Sequence, residues 1–191
     1  VAAPSVVHAA EAEEYRGRYA RALAALAQTV SAAGLRVVVD AAHGAASPFA
    51  VAALAATGAT VLPFAMGDGV INDGVGATDP AALGEQVRAH GADLGIALDG
   101  DADRCVVVDA AGRAIDGDVL IALIALDRKR RGVAGSERAV ATVLTNSGVE
   151  RHLAAHGITL ICPPLSSTDI PDAAAAIISS TIPEPDSSMF S

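Results

Sequence analysis

Short apolar segments that end at an aspartate constrain the fold of this chain more than any other feature of its sequence. Leu35–Val39 is largely apolar and precedes Asp40, and Asp93–Leu98 leads into Asp99 in the same way. Segments that are apolar on both faces are typical of strands buried in a parallel sheet, because helices cover both sides of such a sheet. Helical patterns lie between these segments, so the alternation predicts βαβ units and a mostly parallel sheet.

Turn and capping signals place the other elements. Gly34 is expected to stop an amphipathic helix, and Asp79-Pro80 combines the N-cap and first-turn proline of a helix start. An Ala-Ala-Gly-Arg segment between two apolar stretches predicts a hairpin turn, and Asp116-Gly-Asp118 is expected to cap the helix after it. The predicted elements are helix 11–32, strand 35–39, helix 48–58, strand 59–65, helix 79–90, strand 93–98, hairpin strands 105–109 and 114–115, and helix 116–130.

The last third of the chain repeats the pattern once and then stops. Residues 139–144 and 158–162 are predicted strands on either side of a short helix at 148–156. One βαβ arm cannot bury both faces of its sheet, so this second unit is predicted to be incomplete. The predicted fold class is α/β, with a mostly parallel sheet, helices on both faces and an antiparallel hairpin, followed by an incomplete second α/β unit.

The domain boundaries follow from these elements. Residues 1–34 are expected to be a linker and an entry helix, 35–133 a complete α/β domain, and 134–162 the start of a second domain. Residues 163–191 are rich in Pro and Ser and contain neither Lys nor Arg, so they are predicted to form a divergent, poorly ordered tail.

The composition argues against several classes of protein. The 191 residues carry 13 basic and 22 acidic side chains, a net charge of -9, which disfavours a nucleic-acid-binding surface. No apolar run approaches the ~20 residues of a membrane helix and no signal peptide is visible, so a cytoplasmic protein without membrane contact is expected. Two cysteines, Cys105 and Cys162, are too few for a disulfide framework or a zinc cluster and are expected to be reduced and buried.

The most informative segment follows the predicted strand at 93–98. Three carboxylates, Asp99, Asp101 and Asp103, alternate there with small residues that let the chain curl. Two unit charges 4 Å apart repel by about 4 kcal/mol at an effective dielectric constant of about 20, so a cation is expected among them. Oxygen ligands without His or Cys favour Mg²⁺ over Zn²⁺, and sites in open α/β sheets lie at the carboxyl ends of strands. The segment therefore predicts a magnesium site.

Arg104 directly follows the third carboxylate. A guanidinium beside a carboxylate-bound Mg²⁺ is suited to bind phosphate oxygens through two hydrogen bonds. Metal and arginine together commonly stabilise the charge of phosphoryl transfer. Arg104 is therefore the candidate catalytic residue, as a phosphate contact.

Three other interpretations of this loop compete. The first is a solvated acidic turn without a ligand. The second, a calcium EF-hand, fails because its sixth position is Arg104 instead of Gly and its twelfth is Ala110 instead of Glu. The third is an aspartyl-phosphate phosphatase with Asp99 as nucleophile. Phosphatases of this kind normally carry Thr or Val at the position of Asp103, so this residue weakens the interpretation.

The loop Asp99-Gly-Asp-Ala-Asp-Arg104 resembles the metal-binding loop of the α-D-phosphohexomutase superfamily. The segment Asn72–Pro80 resembles one typical of the phosphoglucosamine mutase branch, whereas the phosphomannomutase and phosphoglucomutase branch usually carries Pro-Asn-Pro there. The match covers roughly residues 14–162. The further segments that carry it are 35–46, 115–118 and 141–148.

The resemblance implies a multidomain isomerase of amino-sugar metabolism. A phosphorylated serine in another domain would convert glucosamine 6-phosphate to a bisphosphate and then to glucosamine 1-phosphate. Mg²⁺ would be held by Asp99, Asp101, Asp103 and the phosphoserine. Arg104 would contact the phosphoserine or the transferred group.

The sequence also departs from this family. No Ser-His pair of the kind that marks the family's catalytic serine is present, and the family's sugar-binding and phosphate-binding loops are missing. The chain is therefore expected to be a fragment, namely the metal domain and the start of the next one, and to be inactive alone. A non-catalytic metal-binding module remains an alternative.

Several further polar residues have two interpretations each. Asp40 could orient the metal loop or cap the following helix, and His43 could face a cleft or be satisfied by backbone. Asn72 and Thr78 could shape a Gly-rich loop or contact substrate. Asp116 and Asp118 could support the metal loop or, more simply, cap a helix.

Overall fold

The computed structural model describes residues 9–162, and the chain divides into two compact units between Ala114 and Ile115. The elements are α1 Ala9–Ala27, β1 Arg36–Asp40, α2 Ala50–Ala55, β2 Thr60–Phe64, α3 Ala81–His90, β3 Leu94–Leu98, β4 Cys105–Asp109, β5 Ala114–Ile115, α4 Gly117–Arg130, β6 Arg138–Val140, α5 Ser147–Ala155 and β7 Thr159–Ile161.

The main sheet has five strands in the order β2-β1-β3-β4-β5. Strand β1 pairs in parallel with both neighbours, with Val38 opposite Leu62 of β2 and Gly95 of β3. Strand β4 runs antiparallel to β3, with Val106 opposite Ala97. The predicted α/β class, with a mostly parallel sheet and an antiparallel hairpin, is confirmed.

One face of this sheet carries the buried core of the first unit. Val38, Ala97 and Val108, from three neighbouring strands, pack against Leu83 and Val87 of α3. The two helix residues are four positions apart and therefore lie on the same side of α3. This packing fixes α3 across β1, β3 and β4.

The opposite face is covered by α1 and α2. Val39 and Ile96, which point away from the core face because side chains alternate along a strand, line a cavity of about 360 Å³ together with Phe49 and Leu54. The Tyr19 ring of α1 meets the Phe49 ring edge-on, with centroids 5.0 Å apart. Helices therefore lie on both faces, as predicted.

The entry helix is shorter and less buried than its apolar pattern predicts. Helix α1 ends at Ala27, and the predicted end at residue 32 is wrong, because the next turn tightens: the N–H groups of Thr29 and Val30 donate to the Leu26 and Ala27 carbonyls at 3.1 Å. Tyr15, Leu26 and Val30 are exposed. The period-four pattern thus predicts the helix correctly, but several of its apolar side chains are exposed instead of buried.

The strand predicted at 139–144 is wrong beyond Val140. The Thr145 N–H donates to the Thr142 carbonyl at 3.0 Å, and the Leu144 N–H to the Thr142 hydroxyl oxygen at 3.3 Å. Threonine side chains can satisfy backbone groups locally in this way, and the chain turns instead of extending the sheet.

The second unit is a small α/β arrangement. Strands β6 and β7 are parallel, and Leu153 and Ile158 are fully buried in its core with Ala122, Ala125 and Ala139. Helix α4 packs against α5 and β6 within the second compact unit, and the predicted domain boundary at residue 133 stays a prediction. The assignment of complete and incomplete domains stays a prediction, and the predicted tail at 163–191 lies outside the described residues.

Both cysteines are free, as expected, but the expectation that they are buried is wrong. Cys105 occupies the exposed first position of β4 and Cys162 follows the last position of β7, so neither lies within a strand interior. Between residues 9 and 162, no helix has both the length and the apolar character needed to cross a bilayer.

Candidate metal centre

Three loops meet at the carboxyl edge of the main sheet. They follow β1, β2 and β3, and they comprise residues 41–46, 65–78 and 99–104. Parallel strands end at the same edge, so loops that are distant in sequence become neighbours there. We call residues 99–104 the metal loop.

The metal loop brings its three carboxylates together. One oxygen each of Asp99, Asp101 and Asp103 lies within 4.8 Å of the others. Asp99 is 2% exposed, whereas the other two are open to solvent. Ala102 has a left-handed backbone conformation, with φ 62°, which reverses the chain between Asp101 and Asp103. The sequence-predicted ligands therefore converge on one point with two accessible oxygens.

Arg104 is bound to the buried carboxylate. Its backbone N–H donates to Asp99 Oδ1 at 3.1 Å and its Nε donates to Asp99 Oδ2 at 2.7 Å. Burial raises the pKa of Asp99, but the hydrogen bonds from Arg104 outweigh it and lower the pKa to about 2. The Arg104 side chain is 63% exposed, so it remains accessible to a ligand.

The exposed carboxylates interact unfavourably when no cation is bound. The pKa of Asp103 is raised, first by a hydrogen bond shared with Asp99 and then by the negative charges of Asp101 and Asp99. Three carboxylates against one guanidinium leave the loop negative, and all the donors are oxygen atoms. This donor set fits a hard divalent cation such as Mg²⁺, which prefers carboxylates and retained waters.

The two neighbouring loops hold the metal loop by backbone hydrogen bonds. The Ala45 N–H donates to the Gly100 carbonyl at 2.8 Å, and the Ala77 N–H donates to the Leu98 carbonyl at 2.9 Å. A Cβ atom added at Gly44 would lie 2.2 Å from the Gly100 carbonyl oxygen, so this approach requires glycine. Backbone hydrogen bonds from both neighbouring loops thus fix the metal loop on two sides.

Asp40 lies beneath these loops at the end of β1. It is fully buried, and its Oδ1 accepts the Ala42 N–H at 2.8 Å while its Oδ2 accepts the Gly76 N–H at 2.7 Å. Burial raises the pKa of Asp40, and the two backbone hydrogen bonds oppose that effect. Asp40 therefore joins two of the three loops and does not cap the helix near Pro48.

The structure distinguishes the other polar candidates, His43, Asn72 and Thr78, by their surroundings. His43 Nδ1 donates to the Gly67 carbonyl, so this histidine is satisfied by backbone. The Asn72 side chain lies against Gly100, and its buried Oδ1 has no hydrogen-bond partner within residues 9–162. Thr78 is exposed. Asn72 of this branch-typical pair therefore lies beside the metal loop.

Asp116 and Asp118 have structural roles in the second unit. Asp116 is the N-cap of α4 and accepts the Asp118 N–H at 2.8 Å, which confirms the capping interpretation. Asp118 accepts the Asn146 N–H at 2.6 Å. Asp118 therefore ties the loop after β6 to the start of α4.

Sequence reasoning left two contributions to the site unresolved. The link from Asp40 to Gly76 joins positions 36 residues apart, and the contact of Gly44 with Gly100 joins positions still farther apart in the sequence. The available signal was the presence of glycines in the segments between predicted elements, since such residues often permit close backbone approach.

The chain resembles known proteins in sequence. A family model described as phosphoglucomutase/phosphomannomutase, alpha/beta/alpha domain II, matches residues 17–112. The phosphoglucosamine mutase of Acidothermus cellulolyticus is 52% identical over 130 residues, which cover 67% of this chain and 28% of the relative. The phosphoglucosamine mutase of Novosphingobium aromaticivorans is 46% identical over 161 residues, or 83% of this chain and 36% of the relative.

A solved structure shows the same fold. A phosphoglucomutase/phosphomannomutase family protein from Burkholderia thailandensis superposes with a TM-score of 0.64 at 22% identity, covering 87% of this chain and 35% of that protein. The chain spans only 28% and 36% of the length of the two relatives above.

Proposed function

The chain belongs to the phosphoglucomutase/phosphomannomutase family of the α-D-phosphohexomutase superfamily, and we propose that it forms the magnesium-binding part of a phosphoglucosamine mutase. The complete enzyme would be an isomerase that interconverts glucosamine 6-phosphate and glucosamine 1-phosphate. Relatives of that name that are about half identical to this chain support the amino-sugar substrate over other phosphohexoses.

The single observation that carries the proposal is the arrangement of the metal loop. Three carboxylate oxygens lie within 4.8 Å of one another, and one arginine beside them is held by the buried member. Such a loop supplies a cation site and a phosphate contact on one short segment. Both are what transfer of a phosphoryl group requires.

In the proposed reaction, a phosphoserine elsewhere in the complete enzyme donates its phosphoryl group to the sugar and recovers the other one from a bisphosphate intermediate. Asp99, Asp101 and Asp103 would hold Mg²⁺, which would neutralise charge on the phosphoryl oxygens when bound. Arg104 would bind phosphate oxygens with its exposed guanidinium while Asp99 keeps it in place. Asp99 would thus orient both the cation and the arginine.

The aspartyl-phosphate phosphatase interpretation receives no support from this geometry. A nucleophilic carboxylate needs an accessible oxygen in line with the phosphorus atom. Asp99 is 2% exposed, and both of its oxygens accept hydrogen bonds from Arg104. This arrangement supports a role for Asp99 in holding and orienting Arg104.

The 191-residue chain alone is proposed to lack mutase turnover, because it carries no Ser-His pair for the phosphoserine. A phosphosugar is the proposed ligand in the complete enzyme, and the proposed location is the cytoplasm, where sugar phosphates are handled. The net charge of -9 supports the absence of a nucleic-acid partner.

A chimaera tests the proposal directly. The matching 130 residues of the Acidothermus cellulolyticus relative are replaced by those of this chain, and interconversion of the two glucosamine phosphates is measured. We expect activity in the chimaera and a loss of at least about 100-fold on Asp101→Asn, because one ligand of the cation disappears. The matched control is Glu85→Gln, an exposed acidic residue on α3 that leaves the metal loop unchanged.

Three results would contradict the proposal. The first is a folded chimaera that stays inactive while the unmodified relative converts substrate. The second is equal activity of the chimaeras with and without Asp101→Asn. The third is an equal loss of activity in the Glu85→Gln control and in Asp101→Asn, which would remove the special role of the metal loop.

A further inference from the structure

We propose that Asp40 is a positioning residue for the metal loop, which it holds through backbone N–H groups of the two loops on either side. This inference rests on the proposed function, because it concerns the same cation site. Asp40 itself makes no hydrogen bond to Asp99, Asp101 or Asp103 among those that the described residues show. Its action is therefore exerted through other residues.

Each oxygen of the Asp40 carboxylate serves a different loop. Oδ1 accepts the Ala42 N–H at 2.8 Å, and Oδ2 accepts the Gly76 N–H at 2.7 Å. Both donors and the carboxylate are buried. Hydrogen bonds to an ionised carboxylate are the stronger kind, so the two loops are tied tightly to the end of β1.

The two tied loops are those that contact the metal loop. Immediately after Gly76, the Ala77 N–H donates to the Leu98 carbonyl at 2.9 Å. This hydrogen bond fixes the position of the residue before Asp99. On the other side, the Ala45 N–H donates to the Gly100 carbonyl at 2.8 Å. Asp99 therefore lies between two backbone hydrogen bonds whose donors both belong to loops that Asp40 holds.

The two loops that support the metal loop, residues 41–46 and 65–78, are also joined to each other. The Asn72 N–H donates to the Ala42 carbonyl at 3.2 Å. A Cβ atom added at Gly76 would lie 2.5 Å from the Ala42 Cβ and 2.6 Å from the Leu98 carbonyl oxygen. The three strand ends meet around Gly76 with no room for a side chain, so a change in one loop is transmitted to the others.

A carboxylate is the group that this position requires. Burying a charge is costly unless hydrogen bonds compensate for it, and here both compensating donors are backbone N–H groups. An asparagine would place its NH₂ group against one of those N–H donors and would lose that bond. Asp40→Asn is therefore expected to free one supporting loop without changing side-chain size.

The test measures cation binding by the 191-residue chain, with Mn²⁺ as the probe and electron paramagnetic resonance as the readout. We expect Asp40→Asn and Gly76→Ala each to weaken Mn²⁺ binding by about 10–100-fold, the range found when supporting groups behind metal ligands are removed. The matched control is Asp93→Asn. Asp93 Oδ2 also accepts a backbone N–H between β1 and β3, that of Arg36 at 2.7 Å, but at the opposite edge of the sheet.

A second control separates positioning from general stability. Val38→Ala truncates a buried apolar side chain of the core and deletes no hydrogen-bonding group of the loops. It is expected to lower the melting temperature yet to bind Mn²⁺ within about twofold of the unmutated chain. If Val38→Ala and Asp40→Asn have equal melting temperatures and lose the same Mn²⁺ affinity, the positioning role is overturned.

The failure of this inference can be told from failure of the metal site itself. If Asp101→Asn binds Mn²⁺ as tightly as the unmutated chain, the proposed cation site is wrong. If Asp101→Asn loses binding while Asp40→Asn and Gly76→Ala keep it, the site stands and the role of Asp40 is wrong.

A measurement on the unmutated chain remains decisive even if the Asp40 variants do not fold. If Asp40 supports the cation site, the bound cation must in turn stabilise the hydrogen bonds of Asp40, because coupling between two sites is reciprocal. Mg²⁺ should therefore slow hydrogen exchange of the Ala42 and Gly76 amides, which donate to Asp40. Slower exchange at Arg104 with no change at Ala42 and Gly76 would overturn the inference.

Discussion

Single positions decide how closely the loops at the carboxyl edge of the sheet approach one another. Gly44 lies against Gly100, where an added Cβ would be 2.2 Å from a backbone carbonyl oxygen. That oxygen also accepts the Ala45 N–H, so it cannot move away without loss of the hydrogen bond. The absence of a side chain at Gly44 is therefore a condition for the position of the metal loop.

Gly44→Ala should destabilise the chain by about 1–3 kcal/mol, since excess volume at a packed contact forces the backbone apart. It should also weaken Mg²⁺ binding, because the displaced residue lies beside Asp99. Urea unfolding and Mg²⁺ titration measure the two effects.

Gly117→Ala is the matched control for this substitution. Among residues 9–162, nothing outside the immediate chain neighbours lies within 4 Å of a Cβ added at the first residue of α4. Alanine also favours a helix over glycine by roughly 0.5–1 kcal/mol. Equal free energies of unfolding for the two variants would contradict the close contact at Gly44.

The residues of the metal loop could be predicted from the sequence because they are contiguous. Asp99, Asp101 and Asp103 needed only a strand end before them and small residues between them. The sequence left two roles open for Asp40, because its partner Gly76 belongs to another loop and leaves no local pattern that decides between them. The pairing of Arg104 with Asp99 is likewise a matter of side-chain geometry that spacing alone does not define.

At the scale of elements, α3 anchors the sheet through a few aliphatic side chains. Leu83 is fully buried between β1, β3 and β4, and this Ala-rich chain has few large side chains in its core. Leu83→Ala should therefore cost about 2–5 kcal/mol of unfolding free energy, through lost burial and the cavity that remains.

The matched control is Leu144→Ala, the same substitution at a leucine that is 86% exposed. It should change the free energy of unfolding by less than about 0.5 kcal/mol. Urea denaturation followed by circular dichroism measures both. A loss at Leu83 no greater than that at Leu144 would refute the assigned core.

The β4–β5 hairpin links stability to pH. Asp109 accepts hydrogen bonds from the Arg113 N–H and Nε, both at 2.9 Å, and these lower the pKa of Asp109 below its ordinary value of 3.8. A carboxyl whose pKa is lower in the folded chain stabilises it above the unfolded pKa, and that contribution is lost as the pH falls below 3.8.

Asp109→Asn should therefore reduce the decrease in melting temperature between pH 5 and pH 2 without abolishing it, because Asp99 behaves similarly. Thermal unfolding at a series of pH values measures the slope. Arg113→Gln removes the guanidinium partner but retains the carboxyl and the backbone N–H donor, so it should reduce the same slope by a smaller amount. An unchanged slope in both variants would contradict the assignment.

Element types could be predicted from hydrophobic periodicity, whereas some ends could not. The apolar strands of the main sheet and the capped start of α4 agree with their patterns. Helix α1 stops at Ala27 and β6 at Val140, because local hydrogen bonds in the following turns replace the regular ones. Such competition depends on geometry that a linear pattern does not contain.

At the scale of the whole molecule, cation binding at the metal loop must be distinguished from general attraction of cations to an acidic chain. A net charge of -9 attracts divalent cations in general, and acidic residues also cluster in α1, at Glu11, Glu13 and Glu14. Diffuse attraction of this kind is weak, is spread over many groups and is screened by salt. A built site differs by being saturable, localised and lost with one ligand.

Nuclear magnetic resonance of the uniformly ¹⁵N-labelled chain, titrated with Mg²⁺ at 0.15 M ionic strength, distinguishes the two most directly. We expect saturable shifts of the amides of Asp101, Asp103 and Arg104, and their disappearance in Asp101→Asn. Shifts spread over the acidic residues of α1, or identical titrations for the two chains, would contradict a magnesium site in the metal loop.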